Sequence, residues 1–454
     1  MRNKLSVAPR VAGLLAAGAV VAASVPAAAQ DAGTPACTSF TNPVYISGSS
    51  ASKPVLQALA TTLIADGVPI TIIYSSPDSC LGVEDMLNGV PSTETGVAAP
   101  VALGSAGATT TCTTGASEAV DIAVSDVFPA TCETNAMLTI PSSVAEVQGP
   151  IQAMTMVVPG GTSGSSAQSI SAQAAYVVFG NDAMVTQNTV QPWSVSSNIF
   201  VRANTSGTLN MIGAAIGLIP AKWVNASPGT GAPQESSTGN MESAVATVTT
   251  NQSATIGILS AEGVAAWNGA HSTTPLNILA FQANDQSCGY LPDSALNAYD
   301  KINVRQGRYA IWGPLHFLTK TTGTSAPSNT PTGPDAAAVA TVLNYFLATG
   351  SNPDATTFTG ALAGDAGAGV SQSDIQALIT AEAKPGYVVP WCAMQAQRSS
   401  EVGPESSYSS PAPCSCLYET TLGATVSGHT CTQCGTGNPC TGSGVCRYGF
   451  CEVQ

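Results

Sequence analysis

Four times along this chain a short β-branched run ends in small hydroxyl residues, and a helix-spaced apolar segment or turn follows. Val44-Tyr45-Ile46 leads into Ser47 to Pro54, and Ile70 to Tyr74 into Ser75 to Cys80. Ile122-Ala123-Val124 leads into Ser125-Asp126, and Ile199-Phe200-Val201 into Arg202 to Thr208. Further strand-like runs lie at Met154 to Val158 and Ile256 to Leu259. Between them, Val55, Leu56, Leu59 and Leu63 share a helical face, as do Leu209, Ile212, Gly213 and Ile216. Val339, Val342, Leu343, Phe346 and Leu347 give the cleanest such stripe. Strands alternating with helices predict an α/β fold with mainly parallel sheets. Roughly 350 residues of this pattern exceed what one core usually serves, so two lobes are expected. Gly/Ser/Thr tracts at Pro159 to Ser166, Pro228 to Gly239 and Thr321 to Pro334 read as loops.

The loops matter because ligands of open α/β sheets bind at the carboxyl ends of the strands. In Ser47 to Pro54, Ser52 suits an N-cap and Pro54 the first helical turn, where no N–H donor is owed. A helix start offers unpaired N–H groups and partial positive charge, which attract anions. Each loop alone is an ordinary cap or turn. Together they bring three hydroxyl-rich helix starts, one carboxylate (Asp126) and one guanidinium (Arg202) to one edge of the sheet.

The order of these loops resembles the phosphate-binding proteins that serve ABC transporters, which have the type 2 periplasmic-binding fold. Ser52 stands at the position of an anion-binding Thr, and Lys53 follows it where the family offers a backbone N–H. Tyr74 to Ser79 resembles a loop whose last Ser binds the ligand, and Val124-Ser125-Asp126 matches an A-S-D segment. Arg202 to Thr208 keeps the Arg, Ser, Gly and Thr of R-x-D-G-S-G-T in register. Ile256-Gly257-Ile258 is similar to a family strand, and Ala337 to Gly350 to its late helix. The resemblance implies a substrate-binding domain over 41–390, with one lobe from 41–152 and 260–390 and the other from 153–259. It implies phosphate or a related tetrahedral oxyanion as ligand, held by Ser52, Lys53, Ser79, Asp126, Arg202, Ser206, Gly207 and Thr208. It also implies an ABC transporter permease as partner, no cofactor and no catalysis. Two departures stand out. Asn204 replaces an Asp that pairs with the Arg in the family, which leaves Arg202 less neutralised. Cys80 occupies a position usually held by Ser or Gly.

Arg2, Lys4 and Arg10 precede an apolar run from Val11 to Val25, then Pro26 and Ala27-Ala28-Ala29, so residues 1–29 read as a signal peptide. No lipobox-like Cys follows, which places the mature protein in the periplasm or at the cell surface, without stable membrane insertion. Losing the leader leaves ten basic residues against 27 acidic ones, a net charge of −17, which excludes nucleic acid as a partner. His271, His316 and His429 lack metal-ligand spacing and there is no G-x-S-x-G elbow, so a phosphohydrolase is the weakest reading. A binding protein of the same fold for a different ligand, or one with an adhesion or scavenging role, is the stronger alternative.

Thirteen cysteines point to an oxidising compartment, and the odd total leaves one thiol free or paired between chains. Five lie in the body (Cys37, Cys80, Cys112, Cys132, Cys288) and eight from Cys392 onward. Residues 391–413, rich in Ser, Pro and Glu, read as a linker. Residues 414–454 read as a Cys-rich module stapled by disulfides. Cys431-x2-Cys434 is also compatible with zinc, but disulfides are favoured in an exported chain.

Overall fold

The elements run in two α/β series joined by one long strand. The computed structural model describes residues 33–91, 99–115, 118–161, 168–180, 190–224, 234–322, 330–348, 358–359, 361–362, 370–423, 431–442 and 444–452. The leader expected over 1–29 lies outside them. The first series is β1 (Pro43–Gly48), α1 (Lys53–Ala65), β2 (Thr71–Ser75), α2 (Ser79–Asn88), β3 (Val101–Leu103), β4 (Thr109–Thr111), β5 (Ile122–Ser125) and α3 (Pro129–Asn135). After β6 (Val144–Pro159) come β7 (Ser169–Ser171), α4 (Ala172–Gly180), β8 (Val201–Arg202), α5 (Gly207–Ile216), β9 (Gln234–Glu235) and α6 (Thr238–Ala246). β10 (Gly257–Ser260), α7 (Ala261–Ala270), β11 (Leu276–Ile278) and β12 (Ala280–Gln282) complete that series. The chain returns through α8 (Ile302–Arg305), β13 (Trp312–Lys320), α9 (Ala336–Ala348) and α10 (Gln372–Ala383), and ends beyond α11 (Ser415–Leu422).

Eight strands of the nine-stranded sheet follow the order β10-β6-β13-β5-β1-β2-β3-β4, with β11 also on β6. β1 pairs in parallel with β2 and β5, but the other six pairings of this sheet are antiparallel. The expectation of mainly parallel sheets therefore does not hold for it: β6 and β13 run back through the sheet, and β3 and β4 return along its edge. The 16-residue β6 does two jobs. Val144 to Ala153 pairs antiparallel with β13 on the side of the first series. Met154 to Pro159 pairs with β10 and β11 on the other side. The result is a two-lobed α/β fold in which β6 and β13 carry the chain between lobes. We call lobe 1 the part built around α1 to α3 and α9, and lobe 2 the part built around α4 to α7. α7 packs on α6, β10 and β11, so lobe 2 is taken past the bound of 259 drawn from the sequence.

Both faces of the parallel strands are covered, as such strands demand. Val44, Ile46, Ile72, Ile122 and Val124 pack against Val55, Leu59 and Leu63 of α1 and Val339, Val342, Leu343 and Phe346 of α9. Their alternate neighbours Tyr45, Ile73 and Ala123 join the other cluster, with Val83 and Met86 of α2. Phe317 stacks on Phe346 with ring centroids 4.1 Å apart.

The segment 391–413 is not the solvated linker its composition suggests. Trp391, Cys392, Ala393, Met394, Ala396 and Tyr408 are buried in it. The Arg398 guanidinium lies 4.1 Å from the centre of the Trp312 ring, and the Glu401 carboxylate accepts from Phe128 N and Thr131 Oγ1. The charged residues are there to meet partners on β13 and α3, so the segment is a strap packed on the body. A Cys392–Cys414 disulfide closes it. Beyond it, Glu419 of α11 pairs with buried Arg305 at 2.7 Å, so the last module is also anchored on the body.

Twelve cysteines form six disulfides, and each group closes on itself. Cys37–Cys112 and Cys80–Cys132 lie in the body. Cys416–Cys431, Cys434–Cys446 and Cys440–Cys451 staple the C-terminal module. Cys431 and Cys434 go to different bridges, so no thiolate pair is left for zinc there. Cys288 is free and exposed.

Candidate functional site

Helix starts are where the lobes meet. Lys53 and Pro54 open α1 after Ser52, whose hydroxyl donates to Ser49 O (2.7 Å) and caps nothing. Asp78 is the N-cap of α2 and Ser206 that of α5, and neither side chain makes a cap bond. Serines do cap elsewhere: Ser237 for α6, Ser260 for α7 and Ser371 for α10. An uncapped first turn keeps N–H donors and the positive end of the helix dipole for another acceptor. In α2 Cys80 N has found one in Thr205 O (3.2 Å), and α1 is entered through a 3-10 turn that Ser49 caps.

The start of α5 abuts the start of α2. A Cβ built on Gly207 would lie 2.3 Å from Ser79 Oγ and 2.8 Å from Asp126 Oδ2, so only glycine allows this approach. Gly48, at φ +147°, plays the same part behind the site: a Cβ there would lie 1.9 Å from Val124 O.

Asp126 is 2% exposed. Its Oδ2 accepts from Ser79 Oγ at 3.3 Å; Oδ1 makes no hydrogen bond of ordinary geometry, and the nearby Ser49 hydroxyl also favours the ionised carboxylate. Burial pushes the carboxyl up to about 6. An acceptor oxygen so buried and unmatched is costly unless something brings it a donor.

Arg202 is buried as deeply. Its Nε donates to Glu235 O (3.0 Å), and its Nη2 to Asp78 Oδ1 (2.7 Å), with longer contacts to Ser50 Oγ and Ser236 O. This corrects the expectation drawn from Asn204. Arg202 is not short of a counter-ion, because Asp78 supplies one from the opposite lobe. Thr205 Oγ1 donates to the same carboxylate at 3.2 Å, and burial outweighs the guanidinium to raise Asp78 to about 6.

Of the eight residues singled out from sequence, Ser52, Ser79, Asp126, Arg202, Ser206, Gly207 and Thr208 are buried. The Lys53 side chain is exposed, so only its backbone lies at the α1 start. Asp78, Ser50 and Thr238 were not anticipated. Ser50 Oγ lies 2.9 Å from Thr238 Oγ1 and accepts from Thr238 N (3.1 Å), a second polar contact between lobes. Asp78 reads as a turn residue after Pro77, and Thr238 lies in the tract taken for a loop, where β9 and α6 in fact form. Cys80, the other departure, is bridged to Cys132 and ties the start of α2 to α3.

No family model matches the sequence, and no curated protein does. Solved structures match at the level of backbone course. A putative phosphate ABC transporter substrate-binding protein from Clostridium perfringens, with bound phosphate, is 13% identical at a TM-score of 0.42, covering 66% of this chain and 93% of its own. A high-affinity periplasmic phosphate-binding protein (PfluDING) bound with phosphate is 14% identical at a TM-score of 0.42, covering 77% and 90%. The regulatory domain of OxyR from Pseudomonas aeruginosa also matches, at 6% identity and a TM-score of 0.33, covering 62% and 90%. Likeness of this degree spans different functions, so the chemistry must be argued from the site.

Proposed function

We propose that this is an exported solute-binding protein that takes phosphate, or a similar tetrahedral oxyanion, between its lobes. One observation carries the reading: the starts of α2 and α5, one from each lobe, meet at buried Asp126, with buried Arg202 bound beside them to Asp78. Ser206 and Thr208 offer hydroxyls, and Lys53 and Gly207 backbone donors, in place of hydration. The Ser52 and Ser79 hydroxyls, which donate to Ser49 O and Asp126 Oδ2, would have to turn to the anion. Arg202 adds a charge-assisted contact. Asp126 does the selecting. Burial raises its pKa to about 6, toward neutrality, and the ionised form is the one that selects. It then accepts the O–H that phosphate carries and sulfate lacks. Burying a carboxylate against a fully ionised oxygen costs on the order of 2–5 kcal/mol.

The net charge of −17 opposes an anion only at long range, and a Debye length of about 8 Å screens it. The leader-like sequence of residues 1–29 and the six disulfides support an exported location. Uptake through an ABC transporter permease and scavenging at the cell surface both fit, and the C-terminal module is suited to attachment. Titration calorimetry of dialysed mature protein against phosphate, sulfate, molybdate and simple sugars tests the reading. Phosphate should bind far more tightly than sulfate. Tight sugar binding without an oxyanion response would overturn it.

A further inference from the structure

We propose that Asp78 is a positioning residue that draws the lobes together: lobe 1 lends its carboxylate to the guanidinium of lobe 2, and closure is favoured before any ligand is held. Of the five ion pairs among the described residues, Arg202–Asp78 is the one that joins β8 to the start of α2. Both side chains are nearly inaccessible, at 2% and 5%. Parting the lobes would return both charges to water, so the pair exists only while the lobes meet, and it favours closure to the extent that its 2.7 Å contact outweighs that desolvation.

The choice of residue supports this. Asp is among the best N-caps, and Asp78 occupies the N-cap position of α2. Yet its oxygens turn away from its own helix, one to Arg202 Nη2 (2.7 Å) and one to Thr205 Oγ1 (3.2 Å). Both of these groups belong to lobe 2. The backbone follows the same line, with Cys80 N donating to Thr205 O at 3.2 Å. Ser50–Thr238 and Asn135–Asn210 (2.7 Å) add neutral contacts on either side. A ligand arriving at such a site meets an Arg202 already oriented, and its apparent affinity gains by the closed fraction present beforehand.

Small-angle X-ray scattering of the dialysed, ligand-free mature chain tests this without assuming which ligand is bound. A chain of this length has a compact radius of gyration of about 22 Å. Wild type should give that value, and Asp78→Asn one larger by about 1 Å, as lobes part about a hinge. Asp78→Glu should recover part of the difference. Superimposable ligand-free curves for wild type and Asp78→Asn would overturn the proposal. Should Asp78→Asn fail to fold, Thr205→Val keeps both charges and removes one contact. It should show a smaller expansion, and no expansion there would also overturn the proposal. Adding inorganic phosphate should return Asp78→Asn to the wild-type curve. An expanded variant that ignores phosphate would leave the latch standing and count against the oxyanion reading instead.

Discussion

Two sets of helix starts use the same residue types for opposite ends. At α6, α7 and α10, Ser237, Ser260 and Ser371 accept hydrogen bonds from the first-turn N–H groups, and Asp374 completes a capping box with Ser371. At α1, α2 and α5 the N-caps are Ser52, Asp78 and Ser206, equally good candidates, and none caps its helix. A cap is typically worth ~1 kcal/mol. Asp78 and Ser206 withhold it beside Asp126 and Arg202, whereas Ser49 caps the 3-10 turn that enters α1; under the proposed function the two withheld caps mark helix starts kept for a ligand. The hydroxyl is free to point elsewhere and the N–H groups keep their positive potential.

The largest test of that contrast is Arg202→Ala. If the cleft starts converge on an anion, removing the guanidinium should weaken phosphate binding by roughly 2–5 kcal/mol, read by calorimetry. An unchanged affinity would mean that the converging helix starts hold no anion.

A sharper test compares one cap from each set. Ser371→Ala should cost about 1 kcal/mol of stability in urea unfolding and leave phosphate binding alone. Ser206→Ala should do the reverse, with stability within about 0.5 kcal/mol of wild type and a weaker phosphate isotherm. Equal losses of stability would erase the distinction between the two sets.

Much of the frame was legible because periodicity reports burial. The stripe from Val339 to Phe346 and the alternation along β1 follow from which face meets the core. Arg202 and Gly207 could be read for a similar reason, since a charged residue and a glycine at a strand-to-helix turn are chemically distinctive. What escaped was pairing at a distance. Asp78 and Arg202 lie 124 positions apart, on different lobes, and nothing local to Ser76-Pro77-Asp78 announces the partner. The strap failed for the opposite reason. Its Ser, Pro and Glu content resembles a solvated tether, but Arg398, Glu401 and Glu405 are satisfied by Trp312, Phe128 and Thr131 on elements far back in the chain. The exposure of Lys53 shows the limit of motif alignment, which places a backbone and says nothing of where its side chain goes.

The central claim is that buried, half-satisfied Asp126 selects the ligand by accepting a proton-bearing oxygen. Asp126→Asn keeps the shape, removes the charge and adds an N–H donor that can meet a fully ionised oxygen. Competition titrations of phosphate against sulfate, for wild type and variant at one pH, measure this directly. The ratio of phosphate to sulfate affinity should fall tenfold or more, a change of about 1.4 kcal/mol. A ratio that stays constant, with both affinities measurable, would contradict the account and remove Asp126 from the site.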